Sequence, residues 1–189
     1  MTDLNYSFAL ALSALIKSGE LSIPELMQST LDRIDDVNGT VNAIVSLGER
    51  DALMAQAQVA QSAPRKGWLH GIPIAIKDLA NAKGFATTMG SPLFAGEVAP
   101  KDDIVVQRLK IAGAIVIGKT NTPEFGLGSH TFNPVFGSTK NPYDQTCSAG
   151  GSSGGAAAAL ACGMISVADG SDMMGSLRNP AAWNNVYGM

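Results

Sequence analysis

"GGSSGGAAAALACGMISVADGSDMMGSLRNPAAW" (residues 150–183) sets two glycine-flanked serine turns around one apolar run. The first turn opens an alanine-rich segment, which reads as a helix because alanine loses least on entering one. "GMISVADG" (163–170) then reads as a buried strand, short, apolar and bounded by glycines. A loop, a helix and a strand in that order point to the α/β class with a mostly buried sheet. The stretch holds no histidine. A serine nucleophile within it would therefore need some other base.

Upstream, the alternation continues. "AGAIVIGKT" (112–120) reads as a strand, preceded by a helix over "DDIVVQRLKIAG" (102–113) with Gly113 at its C-terminal cap. "GIPIAIKDL" (71–79) is a further β-branched run, ending in Lys77-Asp78. Ahead of it lie three helical segments. Residues 8–17 end at Gly19, "LSIPELMQSTLDRI" begins with a Ser22/Glu25 capping box, and "GERDALMAQAQVAQSA" ends before Pro64. Residues 1–66 thus read as a helical N-terminal region and 67–189 as an α/β core segment. "GSHTFNPVFGSTKNPYDQTCSAGG" (128–151) is a long loop with two Asn-Pro steps, and loops of that length in compact domains are often functional.

Composition narrows the classes. With 46% hydrophobic and 15% charged residues, the 189-residue chain can bury a core. A formal charge of -3 without a basic cluster argues against nucleic acid, which requires gathered lysine and arginine. Cys147 and Cys162 form neither a disulfide framework nor a zinc spacing, and His70 and His130 lie far apart. Both thiols are read as reduced. Asp3 stands where a signal peptide carries cations, and no segment approaches the length of a membrane span, so a cytoplasmic location is expected.

Two single motifs are set aside. "GAIVIGKT" (113–120) matches the phosphate-loop pattern, but its middle residues are strand formers rather than a loop around phosphates. "GGSSG" (150–154) matches a nucleophile elbow, yet no histidine follows His130 to complete that triad. A His70, Asp102 or Asp103, Ser176 order has no support in the spacing. Without histidine, the base available to a hydroxyl nucleophile is a lysine kept neutral by burial, and Lys77 closes an apolar run. Such a lysine must fall about 3 pH units below its ordinary ~10.4, at a cost of about 4 kcal/mol. Glycine-serine loops can also simply cap helices or hold anions.

"GIPIAIKDL", "GKTNTPEFG", "GGSSGGAAAALA" and "DGSDMMGSLRNPAAW", in that order and spacing, resemble the amidase signature family. The resemblance runs from about Leu15 to the last residue. It implies a three-layer α/β/α fold with a mixed sheet, of which this chain carries the N-terminal part while the C-terminal half is absent. It implies Lys77 as base, Ser152 as a bridging serine on a cis peptide bond after Gly151, and Ser176 as the acylated nucleophile. Ser152 and Ser176 stand 24 positions apart, as the family pattern has them. The backbone N–H groups of Met173, Met174, Gly175 and Ser176 match the oxyanion hole. Gly151, Ser153, Asp172 and Arg178 are read as supporting residues.

The family has glycine where this chain has Met174. Either the backbone there needs a positive φ, or the methionine side chain lines the site; the second is preferred, since a strained hole would defeat preorganisation. The expected activity is hydrolysis of a small-molecule amide through an acyl-enzyme, with no metal or organic cofactor. Partners other than substrate would be a second copy or the absent C-terminal portion, because an incomplete sheet exposes an apolar edge. Two alternatives stay open. One is a catalytically silent binding or interaction module, and the other an anion- or nucleotide-binding α/β domain built on the glycine-rich loops.

Overall fold

The computed structural model describes residues 4–189. Asp3, which entered the reading of the N-terminus, lies outside them. Helix α1 (Ala9–Ser18) stops at Gly19, whose φ of 82° is open to glycine at no steric cost. Helix α2 (Ile23–Val41) starts on the expected capping box: Ser22 accepts from the Glu25 N–H, and the Glu25 carboxylate accepts from the Ser22 N–H. Its apolar stripe, with Met27, Leu31 and Ile34, is buried. After α2 come β1 (Ile44–Leu47), α3 (Arg50–Ser62), β2 (Pro73–Lys77), α4 (Ile104–Ile111) and β3 (Ile115–Thr120).

The sheet is mixed, in the order β1-β3-β2: β2 runs parallel to β3 and β1 antiparallel to it. Its two faces are covered differently. Ala75, Ile115 and Ile117 pack with α2, α3 and the later helix α5 (Gly154–Ala161), whereas Ile74, Ile76 and Val116 pack with Leu12 of α1 and Val106 of α4. Helices on both faces of a small mixed sheet give the layered α/β architecture. Strand β1 was not expected, and it makes the N-terminal region more than helical. Asn42 ends α2 in the left-handed region at φ 54°, and the Asn38 carboxamide oxygen accepts from the Ala43 and Ile44 N–H groups. Four residues after a 19-residue helix carry too little pattern to announce a strand.

The expected strand at 163–170 does not form. Met164 and Ile165 are buried, as their apolar character requires. The backbone, however, closes the end of α5 through Gly163 N–H to Leu160 O and Met164 N–H to Ala159 O. Further along, the Lys77 N–H on β2 is taken by a side chain, Asp169 Oδ1, at 2.7 Å. A carboxylate thus occupies the place of a ladder carbonyl. The segment buries Met164 and Ile165 without strand pairing.

The long loop carries a small hairpin, β4 (Phe132–Asn133) and β5 (Gly137–Ser138). Buried Asn121, just past β3, anchors it: its side-chain N–H₂ donates to Gly137 O and Thr139 Oγ1, and its Oδ1 accepts from Asn133. The last helix, α6 (Arg178–Trp183), follows the second serine turn.

Candidate active site

Strand β2 is buried at every position and delivers Lys77 to its C-terminal end, opposite Thr120 at the end of β3. Lys77 is 2% exposed. Its ammonium group faces three hydroxyls, donating to Ser152 Oγ at 2.7 Å, Ser153 Oγ at 2.9 Å and Ser171 Oγ at 2.9 Å. Burial lowers the lysine pKa from 10.5 to about 8, against the opposing pull of Asp169 and Asp172. The group is therefore partly neutral near physiological pH. Burial acts on Asp169 in the other direction and raises its carboxyl pKa.

Ser152 and Ser153 come from the turn that opens α5, and both are buried. The Gly151–Ser152 peptide bond is cis. Gly154 N–H donates to Thr131 Oγ1, and Ser153 N–H donates to the Ser176 carbonyl at 2.8 Å. The two serine turns are thereby joined through backbone as well as through the lysine.

The second turn is organised by Asp172. Its carboxylate accepts from the N–H groups of Gly175, Leu177 and Arg178 and from two nitrogens of the Arg178 guanidinium. Those bonds, led by Arg178, hold the Asp172 carboxyl far below the usual carboxylate range. Gly175 adopts φ 103°, and a Cβ there would meet the Asn179 carboxamide at 2.6 Å. The left-handed position is thus Gly175, while Met174 stays outside that region and leaves its side chain 85% exposed.

This geometry bears on the expected oxyanion donors. Gly175 N–H is already committed to Asp172 Oδ1 at 2.7 Å. Among the described residues, the N–H groups of Met173, Met174 and Ser176 have no intramolecular acceptor. Nor does Ser176 Oγ form a hydrogen bond among them, so the contact from Ser176 to Ser152 is open. Beside Ser153, Asp169 and Gly170 lies a cavity of about 500 Å³ with Leu160, Ile165 and Val167 on its wall.

The remaining candidates lie elsewhere. His130 Nδ1 is 3.1 Å from Ser148 Oγ and its ring leans on Trp183, while His70 Nε2 bonds Ala60 O. The phosphate-loop match is strand β3, and its Lys119 is fully buried against Asp78 at 2.9 Å. Sequence reading missed Ser171 and Asp169. Both sit in the polar "DGSD" just before the second turn, but a separation of more than 90 residues from Lys77 hides the contact.

Lysine and serine hydroxyls gathered at the C-terminal ends of parallel strands are where open α/β sheets keep their chemistry. More narrowly, the Amidase family model matches residues 25–189, and the chain belongs to the amidase signature family. The glutamyl-tRNA(Gln) amidotransferase subunit of Alkaliphilus metalliredigens is 43% identical over 90% of this chain and 35% of its own length. Its counterpart in Acidothermus cellulolyticus is 41% identical over all of this chain and 38% of its own. A solved bacterial aryl acylamidase of the amidase signature family superposes with a TM-score of 0.90 at 34% identity, covering 97% of this chain and 39% of its own. This chain spans little more than a third of the length of these relatives.

Proposed function

We propose that this chain carries the serine–lysine half-site of an amide hydrolase, with Ser176 as nucleophile, Ser152 as bridge and Lys77 as base. The observation that carries the reading is the buried Lys77, its basicity lowered to about 8, at 2.7 Å from Ser152 Oγ. Ser176 Oγ attacks the amide carbonyl and gives its proton to Ser152, whose own proton passes to Lys77. The same path returns a proton to the leaving nitrogen as the C–N bond breaks. Water then attacks the acyl-enzyme and releases the carboxylic acid. The oxyanion is received by the N–H groups of Met173, Met174 and Ser176, which are the donors left over in the turn. The Ser176–Ser152 hydrogen bond is expected to close when an amide occupies the site.

All three groups fall within residues 67–189, and the N-terminal helices serve by covering both faces of the sheet. No helix among the described residues is long and apolar enough to cross a membrane. The 41–43% identity to amidotransferase subunits favours a second version of the same chemistry, in which ammonia passes to a partner protein. That version needs primary carboxamides, whereas a general hydrolase also cleaves N-substituted amides.

Intact mass after exposure to a fluorophosphonate serine probe tests the site. One adduct on Ser176, abolished by Ser176→Ala and Lys77→Ala and forming faster as pH rises through about 8, is expected. An adduct that survives both substitutions, or none at all, refutes the reading for this chain.

A further inference from the structure

Lys77 Nζ has three neighbours, and their hydrogen-bonding capacities are unequal. Ser153 Oγ accepts from Lys77 at 2.9 Å and from the Ser171 N–H at 3.3 Å, and it donates its proton to the Ser171 carbonyl at 3.3 Å. A serine hydroxyl has one proton and two lone pairs. All three are used, so Ser153 can accept a hydrogen bond from the lysine side chain but has none to give it. Ser171 Oγ accepts a second N–H at 2.9 Å. A neutral amine carries two N–H bonds and one lone pair. Ser153 is thus excluded as a donor to the lone pair, and with Ser171 accepting the second N–H the lone pair falls to the nearest neighbour, Ser152 Oγ, at 2.7 Å.

We infer that Ser171, acting with Ser153, is a positioning residue that turns the lone pair of neutral Lys77 onto Ser152. The inference rests on the serine–lysine reading above and adds a residue to it. The two hydroxyls also complete the shell of protonated Lys77, whose three N–H groups meet three oxygens. Ser171 thus serves both protonation states, and neither role involves contact with substrate. Its backbone reinforces the arrangement, because both its N–H and its carbonyl clamp Ser153 Oγ.

Removing the Ser171 hydroxyl has two consequences that separate positioning from mere support. Protonated Lys77 loses an acceptor, so its pKa falls and more free base is present at neutral pH. The free base, however, is no longer aimed. Acylation should therefore slow on the high-pH plateau even as the acid limb moves to lower pH. Loss of general packing would not produce that split.

The experiment uses the chain with ¹³Cε-labelled lysine, the Lys77 signal being assigned by its loss in Lys77→Met. The Lys77 midpoint is read by NMR, and the probe reaction at Ser176 by intact mass, in the parent, Ser171→Ala and Ser171→Thr. Ser171→Ala should lower the midpoint by about one pH unit, the worth of one charge-assisted hydrogen bond partly replaced by water, and slow plateau labelling about tenfold. Ser171→Thr, which keeps the hydroxyl, should restore both. An unshifted midpoint in Ser171→Ala overturns the inference whether or not Ser176 reacts. Complete loss of labelling, as expected for Ser152→Ala, also overturns it by making Ser171 the relay itself. A parent chain that never labels, but whose Lys77 midpoint shifts as stated, refutes the acylation reading while upholding the positioning of Lys77.

Discussion

Lys77 is subject to two opposed influences, and their balance sets the pH at which its amine is free. Burial lowers its pKa, while the carboxylates of Asp169 and Asp172 favour the ammonium and raise it. The balance falls at about 8, above the near-neutral value that the missing histidine led us to expect. Asp169 offers a clean test, because its Oδ1 also accepts the Lys77 backbone N–H. Asp169→Asn keeps an oxygen acceptor and removes the charge. Since the charge raises the lysine pKa, its removal must lower it, and the acid limb of Ser176 labelling should move to lower pH. A limb that stays in place or moves upward would refute this electrostatic account. Legibility differed among the residues of the site. Lys77, Ser152 and Ser176 stood out in the sequence because each sits in a local motif. Ser171 did not, because a hydroxyl in a turn ordinarily reads as a turn residue until a buried amine is brought against it.

At the scale of elements, the glycines of the serine turn set how closely α5 approaches the sheet. A Cβ on Gly155 would overlap the backbone of Asn121, at the end of β3, and would meet Ala43 O, just before β1, at 2.7 Å. Neither neighbour is a flexible side chain. Gly155→Ala should therefore lose about 3 kcal/mol of stability, since overpacking against backbone leaves only displacement of the helix as relief. Urea unfolding followed by circular dichroism measures it, and a loss below about 0.5 kcal/mol, on the order of a neutral surface change, would contradict the close approach. The alanine run itself is the counterpart of that approach. Ala156, Ala157, Ala158 and Ala159 are all buried, and small side chains let the helix lie flat on the strands. The helix was legible from propensity. The failed strand at 163–170 shows what propensity leaves out: apolar residues report burial, whereas a strand also needs a neighbour with free N–H and C=O groups in register.

For the whole molecule, the Lys119–Asp78 pair ties together the ends of β2 and β3 and the segment around Thr87 and Thr88. Asp78 accepts from Lys119 Nζ and from Thr88 Oγ1 at 2.6 Å, while Lys119 also donates to Thr87 Oγ1 at 3.0 Å. Burial lowers the Lys119 pKa, and the neighbouring carboxylates oppose that. Both side chains are out of water, so breaking the pair strands a charge. Lys119→Met should cost about 3–5 kcal/mol, while the double change Lys119→Met with Asp78→Leu should cost much less than the sum of the single changes. Additive losses in denaturant titrations would mean that the two groups do not depend on each other. Because Asp78 follows Lys77 directly, the pair also holds the C-terminal end of β2 in place.

By itself, the sequence determined the class of fold, most of the helices, two of the three sheet strands and the family. These are local properties, carried by capping residues, apolar periodicity and the order of short motifs. Tertiary structure alone decided that Asp169 caps the edge of β2, that Asp172 engages the Gly175 N–H, and that three hydroxyls surround one amine. The physical reason is common to all three. A hydrogen bond is specified by where two groups end up, and here the partners are either distant in the chain or packed into a turn whose N–H directions no residue pattern encodes.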